Sequence, residues 1–122
     1  MKTRRSFLVG GLGLVAAPAF AHHSTSMYDM ENPVTITGTV KRFEWTNPHA
    51  YIIMTVRDEV NKKDVEWAVE MMSLNHLKSY GWMHTTVKPG DVITCTGGPA
   101  RSGQTTMIAS LIKLPDGRVI KS

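Results

Sequence analysis

The heptapeptide Trp45-Thr46-Asn47-Pro48-His49-Ala50-Tyr51 separates two runs that alternate between apolar and polar residues. Asn-Pro interrupts any regular element, because the residue before proline is pushed to extended geometry and proline has no amide proton to donate. Upstream, Val34, Ile36 and Val40 alternate with Thr35, Thr37 and Thr39, the pattern of a half-buried strand. The phase then slips, since Phe43 and Trp45 are odd-numbered. A one-residue slip exchanges faces, so a bulge is expected between Gly38 and Arg42. Downstream, Ile52, Met54 and Val56 point one way, and Tyr51, Ile53 and Thr55 the other. The heptapeptide is therefore a corner between the first two strands.

Further along, Asp58 to Asp64 reads as a charged hairpin loop with Asn61 suited to positive φ. Val65 to Met71 is a third strand, with Val65, Trp67, Val69 and Met71 inward and Glu66, Ala68 and Glu70 outward. Ser73 is placed to cap a short helix over Leu74 to Tyr80, with Gly81 as its C′ residue and Trp82 packing back on Leu77. Lys88-Pro89-Gly90-Asp91 is a tight turn before a fourth strand, Val92 to Thr96, which Gly97-Gly98-Pro99 is expected to break. Met107 to Leu114 is the fifth strand. Pro115-Asp116-Gly117 then turns the chain into a short tail. Strand, strand, strand, helix, strand, strand is the order of a small five-stranded OB-like Greek-key barrel, mainly β with one short helix. The same spacing also fits another small barrel or a sandwich.

The front of the chain reads differently. Lys2, Arg4 and Arg5 precede a short apolar run from Phe7 to Val15, and Ala19-Phe20-Ala21 is a small-x-small cleavage site. The apolar run is shorter than the roughly 20 residues of a spanning helix. Residues 1–21 are thus expected to be a cleaved export signal, leaving no stable membrane anchor. Thr3-Arg4-Arg5-Ser6-Phe7-Leu8 resembles a twin-arginine signal, though the same arginines also fit a Sec signal. Residues 22–33 form an N-terminal arm ended by Asn32-Pro33, and 34–122 form the barrel domain. The expected compartment is the periplasm.

Cleavage changes the charge. The whole chain carries 14 Lys and Arg against 10 Asp and Glu, a net charge of +4. Loss of Lys2, Arg4 and Arg5 leaves 11 against the same 10. The remaining domain has no basic surplus for phosphate, which argues against a nucleic-acid role. Cys95 is the single cysteine, so no internal disulfide can form; its apolar strand context indicates an inert buried thiol.

The string His22-His23-Ser24, Tyr28-Asp29, Gly38-Thr39-Val40, Glu44 to Ala50 and Glu66-Trp67-Ala68-Val69-Glu70 continues through Leu77, Gly81-Trp82, Lys88 to Asp91 and Pro115-Asp116-Gly117-Arg118. It resembles DUF6152, a family of small exported bacterial proteins of unknown function. The resemblance covers nearly all of the chain after the signal, and Trp-Thr-Asn-Pro-His is its most specific part. It implies a periplasmic single-domain β protein and supplies no activity.

Chemistry is concentrated in two places. A cut after Ala21 would make His22 the first residue. Its α-amine, with an ordinary pKa of about 7.7–8.0, and its ring Nδ1 could then chelate one metal ion. A second imidazole, from His49 at the corner or from His23 locally, would complete a three-nitrogen site suited to Cu(II). Met27 and Met30 are soft thioethers that would suit Cu(I). Met54, Met71 and Met107 occupy core-like positions and read as gap-filling side chains. Without the metal, His22 and His23 are simply part of a polar arm, and the His49 ring bonds a backbone carbonyl. Zinc is disfavoured by the absence of a Cys pair or a His-x-x-x-His spacing.

Glu66 and Glu70 stand about 13 Å apart along one strand, too far to act together on one bond. A solvated strand face is the plain reading of both, although Glu70 could support a metal-bound His. Two functions follow. One is a periplasmic metal-binding protein, a copper carrier or accessory with ligands His22, His23 and His49, and with Trp45, Asn47, Tyr51 and Glu70 around them. The other is a non-catalytic binding module for a small ligand or a periplasmic partner protein on the face around Trp45 and Tyr51. No residue pattern marks a catalytic centre; phosphate-loop and nucleophile-elbow motifs are absent.

Overall fold

The computed structural model describes residues 25–122. The expected signal, its cleavage site and His22 and His23 lie outside them. After a 3₁₀ turn at Thr25–Met27 come strands β1 (Val34–Glu44), β2 (Tyr51–Asp58) and β3 (Lys63–Glu70), helix α1 (Leu74–Ser79), then β4 (Val92–Pro99), β5 (Thr106–Lys113) and β6 (Val119–Lys121). The sheet order is β3-β2-β1-β4-β5-β6, and β3 also pairs with β5 in parallel. That last pairing closes a five-stranded barrel of OB-fold topology, with the helix between β3 and β4 and β6 as an added strand.

The bulge falls between Val40 and Arg42, where the β1–β2 register shifts. Before it, β1 turns Thr35 and Thr37 outward, and their hydroxyls pair with those of Thr96 and Thr94 at 3.0 and 2.8 Å. After it, Phe43 packs against the core. The interior holds Val40, Ile52, Met54, Val69, Met71, Ile93, Cys95, Met107 and Ile112, and α1 contributes Leu77. The three methionines expected to fill the core are fully buried.

Helix α1 ends as its residues predict. Gly81 adopts φ +101°, and the amides of Gly81 and Trp82 close onto the carbonyls of Lys78 and Leu77 at 3.1 and 2.9 Å. Trp82 is then driven into the core beside Leu77. The start of the helix differs from expectation. Ser73 occupies the N-cap position but makes no side-chain cap bond; its hydroxyl meets His76 Nδ1 at 2.8 Å.

Three further differences have local causes. The β2–β3 loop places Lys62, not Asn61, at positive φ, because the Asn61 amide and side chain are both bonded to Asp58. Gly97-Gly98-Pro99 does not break β4. It continues the strand past a register shift between Thr96 and Gly97, where a side chain on Gly97 would collide with the backbone of Ile108 and Ala109. The C-terminal tail is not a free tail; Val119–Lys121 pairs with β5, and Lys121 O accepts from the Trp82 indole at 2.7 Å. Among the described residues, no helix is long and apolar enough to cross a membrane.

Candidate functional site

The corner of residues 45–50 is pinned to the segment after β3 from both sides. Ala50 N donates to Met72 O at 3.2 Å, and Met71 N donates to Ala50 O at 2.9 Å. The Asn47–Pro48 peptide is cis. Asn47 reaches from this corner to α1, where its Oδ1 accepts from Leu74 N at 3.1 Å. The side chain that satisfies the first turn of the helix therefore comes from a loop 27 residues upstream.

His49 is half-buried, and its Nδ1 lies 2.8 Å from Met71 O. A carbonyl can only accept, so Nδ1 carries the proton. When the ring is neutral, Nε2 is the bare lone pair, and its orientation is held by the backbone. Metal-ligating histidines are commonly held in this way.

One residue before Met71, a second constellation crosses the outside of the barrel. Glu44 opposes Tyr51, Tyr51 opposes Glu70, Glu70 opposes Ile108, and Ile108 opposes Gly98. Directly opposed residues share a face, so these five form one transverse row. Glu70 points outward, as its parity requires, yet it is 0% exposed. The solvated strand face expected for it is therefore wrong. Burial of a carboxylate is costly unless hydrogen bonds compensate. Tyr51 supplies one, its hydroxyl donating to Glu70 Oε1 at 2.5 Å. Tyr28, itself buried, lies close enough for the Glu70 charge to bear on its hydroxyl.

The N-terminal arm is paired with the end of β4 beside this row. Tyr28 bridges to Ala100, Asp29 N donates to Pro99 O at 2.8 Å, and Arg101 N donates to Met27 O at 3.0 Å. The arm can lie this close because Gly98 has no side chain; a Cβ there would come within 2.5 Å of Met30 Sδ. Burial first, then the Glu70 charge, raise the Tyr28 hydroxyl above the ordinary tyrosine value, partly offset by Thr106. Burial, the hydrogen bond to Glu70 and its charge raise Tyr51 further.

The structure thus separates the residues that the sequence grouped. Trp45 meets Phe43 edge-on at 5.6 Å and lines a surface groove of about 600 Å³ with Trp82, Lys78, Met83 and His84. Tyr51 commits its hydroxyl to Glu70, Asn47 serves the helix, and His49 is held by Met71. Among the described residues, no group of three or more His, Cys, Asp or Glu could hold a metal ion. Tyr28 was missed by sequence reasoning. An isolated aromatic in a polar arm, opposite a glycine pair in a strand, was its faint signal.

Comparison with known proteins adds the following. A sequence model described as a family of unknown function, DUF6152, matches residues 11–109. No curated protein matches significantly. Among solved structures, the mitochondrial single-stranded DNA-binding protein Rim1 of S. cerevisiae is similar over 68% of this chain and 92% of that chain, at 13% identity and a TM-score of 0.49. A structure of TiaS in complex with a tRNA and ATP is similar over 71% of this chain but 19% of that chain, at 10% identity and a TM-score of 0.46.

Proposed function

The chain belongs to the DUF6152 family, whose function is unknown, and we propose that it is an exported periplasmic metal-binding protein whose ion is copper. In this reading the signal is cut after Ala21. The α-amine and ring of His22 chelate the ion, and His49 Nε2 supplies the third nitrogen, with His23 as a local alternative. Three nitrogens in this arrangement favour Cu(II) over the closed sulfur-rich sites of structural zinc. Met27 and Met30, both exposed on the arm, would serve the reduced ion. The protein acts as a carrier or accessory rather than a catalyst.

The observation that supports this most is the hydrogen bond from His49 Nδ1 to Met71 O at 2.8 Å, which leaves Nε2 as a fixed donor. The arm supplies the second support. Tyr28 is held by its bridge to Ala100, with its hydroxyl near the Glu70 charge, and six residues from Tyr28 back to His22 can span at most about 20 Å. Titration of Cu(II) into the chain processed to begin at His22, followed by electron paramagnetic resonance, tests the reading. One tight equivalent with nitrogen hyperfine coupling is expected, and His49→Ala should weaken it about tenfold or more. Weak binding that His49→Ala leaves untouched would sink the proposal.

A second reading has its own observation. The groove beside Trp45 is walled by aromatic and apolar side chains, and Met83 on its rim is 60% exposed. A small apolar ligand, or a side chain of a periplasmic partner, would fit such a groove. Nucleic acid suits the molecule less, since Lys41, Arg42 and Arg57 on the strands are ion-paired with Glu66, Glu44 and Asp64. Loss of ligand binding in Trp45→Ala with no effect of metal would favour this reading over copper.

A further inference from the structure

We propose that the groove beside Trp45 takes a small aromatic carboxylate. The ring of the ligand lies on the aromatic wall, and Lys78, with His84 on the same groove, meets the acid. This deepens the reading of the groove as a ligand site and rests on it; it requires neither copper nor the N-terminal arm.

The wall is built in advance. Phe43 joins two tryptophans, with ring centroids 5.6 Å from Trp45 and 5.8 Å from Trp82. Trp82 is buried, and its indole N–H is committed to Lys121 O, so it offers a ring and no donor. Trp45 is half-buried, and its indole N–H has no partner among the described residues. Gly81 keeps the groove open, since a Cβ built there would meet nothing within 4 Å. On the rim, Met83 N donates to Thr86 Oγ1 at 2.7 Å, and Thr86 N donates to Met83 O at 3.0 Å. This closed turn holds Met83 and His84 out of the core, and both are exposed. A groove of about 600 Å³ is in the size range of small-ligand sites. Indole faces and a thioether favour a flat ring as its occupant.

Charge decides the other end of the ligand. Lys41, Arg42, Arg57 and Arg118 each meet a carboxylate within 3.5 Å, and Lys121 lies 6.0 Å over the Tyr80 ring. Lys78 differs from these. Among the described residues its ammonium has no ion pair or hydrogen bond, and neither has the His84 ring. No Asp or Glu is among the residues that line the groove. Nor is the Lys78 side chain needed to finish α1. The amides of Tyr80, Gly81 and Trp82 already take the carbonyls of His76, Leu77 and Lys78. A cation without a counter-ion at an apolar groove selects an anion with an apolar body.

The test titrates naphthoate, and its neutral isostere naphthamide, into the whole isotopically labelled chain without metal. The readout is the indole N–H resonances of the three tryptophans. Trp67 lines a different groove, with Ile36 and Val56, and serves as the internal control. Naphthoate should shift Trp45 and leave Trp67 in place. It should bind about threefold to fivefold more tightly than the amide, the range of one exposed ion pair. Lys78→Gln should abolish that preference, and Lys78→Arg should keep it. Lys78 is exposed on α1, so both variants should fold. Equal binding of the two probes, with Trp45 shifted by both, would overturn the carboxylate and leave an apolar ligand site. A preference that survives in Lys78→Gln would overturn the role of Lys78. No shift of Trp45 by either probe at millimolar concentration would overturn the groove reading and this inference with it. Trp45 shifts that grow with protein concentration alone would place a second copy in the groove and overturn the small ligand.

Discussion

The hydroxyl of Tyr51 donates to Glu70 Oε1 at 2.5 Å across adjacent strands of the barrel, on the face turned away from its core. This pair makes a small polar interior where an OB-like barrel would ordinarily meet solvent. Hydrogen bonds to a charged, buried acceptor contribute more than neutral ones, about 1.5–3 kcal/mol each. Tyr51→Phe should therefore lower the unfolding free energy by about 2 kcal/mol in urea denaturation, with an unchanged slope. Glu70→Gln should cost less than Glu70→Ala, since an amide still offers one acceptor.

The same pair sets an alkaline limit. Tyr28 and Tyr51 both have raised pKa values in the fold, chiefly through burial and then through Glu70, against an ordinary value of 10.0. The folded state holds these protons more tightly than the unfolded chain. Their contribution is fully present below about pH 10 and is lost as pH rises through that value towards the folded pKa. Urea midpoints measured from pH 8 upward should begin to fall near pH 10. The fall should be shallower in Tyr51→Phe, with tyrosinate absorbance appearing only as the chain unfolds.

Cys95 should be chemically silent in the native protein. It is fully buried beside Met54, with Sγ 3.8 Å from that Sδ, and burial pushes its thiol up to about 12. Reaction with an aromatic disulfide reagent at pH 8 should be slow for the folded chain and fast in denaturant. Rapid labelling under native conditions would contradict the packed interior described here.

Asn47 joins the corner to helix α1, since its Oδ1 accepts from Leu74 N at 3.1 Å. Removing a side-chain cap typically costs about 1 kcal/mol. Asn47→Ala should lose about that much stability, with Asn47→Asp close to wild type. A similar change in Ser73→Ala would instead point to the bond between Ser73 and His76.

Local signals served well where the determining contacts are themselves local. The phase slip between Val40 and Phe43 marked the bulge, and Gly81-Trp82 marked the end of α1 by the chemistry of a left-handed C-cap. They failed where distant segments decide. Gly97-Gly98 carried a breaker signal, but pairing with β5 and the weight of the arm keep it in the sheet. Val119–Lys121 is too short to announce a strand, and it becomes one only because β5 offers an edge. Parity assigned Glu70 correctly to the outer face. Tyr28, whose hydroxyl feels the Glu70 charge, stands 42 positions earlier in the numbering, and no periodicity connects the two. The corner string suggested His49 and a bond from its ring to a backbone carbonyl, as the structure shows; that the carbonyl is Met71 O depends on the third strand and was not legible.

The copper reading is tested most directly by the free amine it requires. Two chains should be compared by Cu(II) titration and paramagnetic resonance, one beginning at His22 and one carrying a single extra residue before it. Both keep every histidine, so only the α-amine chelate differs. The account predicts that the extended chain binds about tenfold or more weakly and loses part of its nitrogen coupling. Equal affinity and identical spectra in the two chains would contradict it.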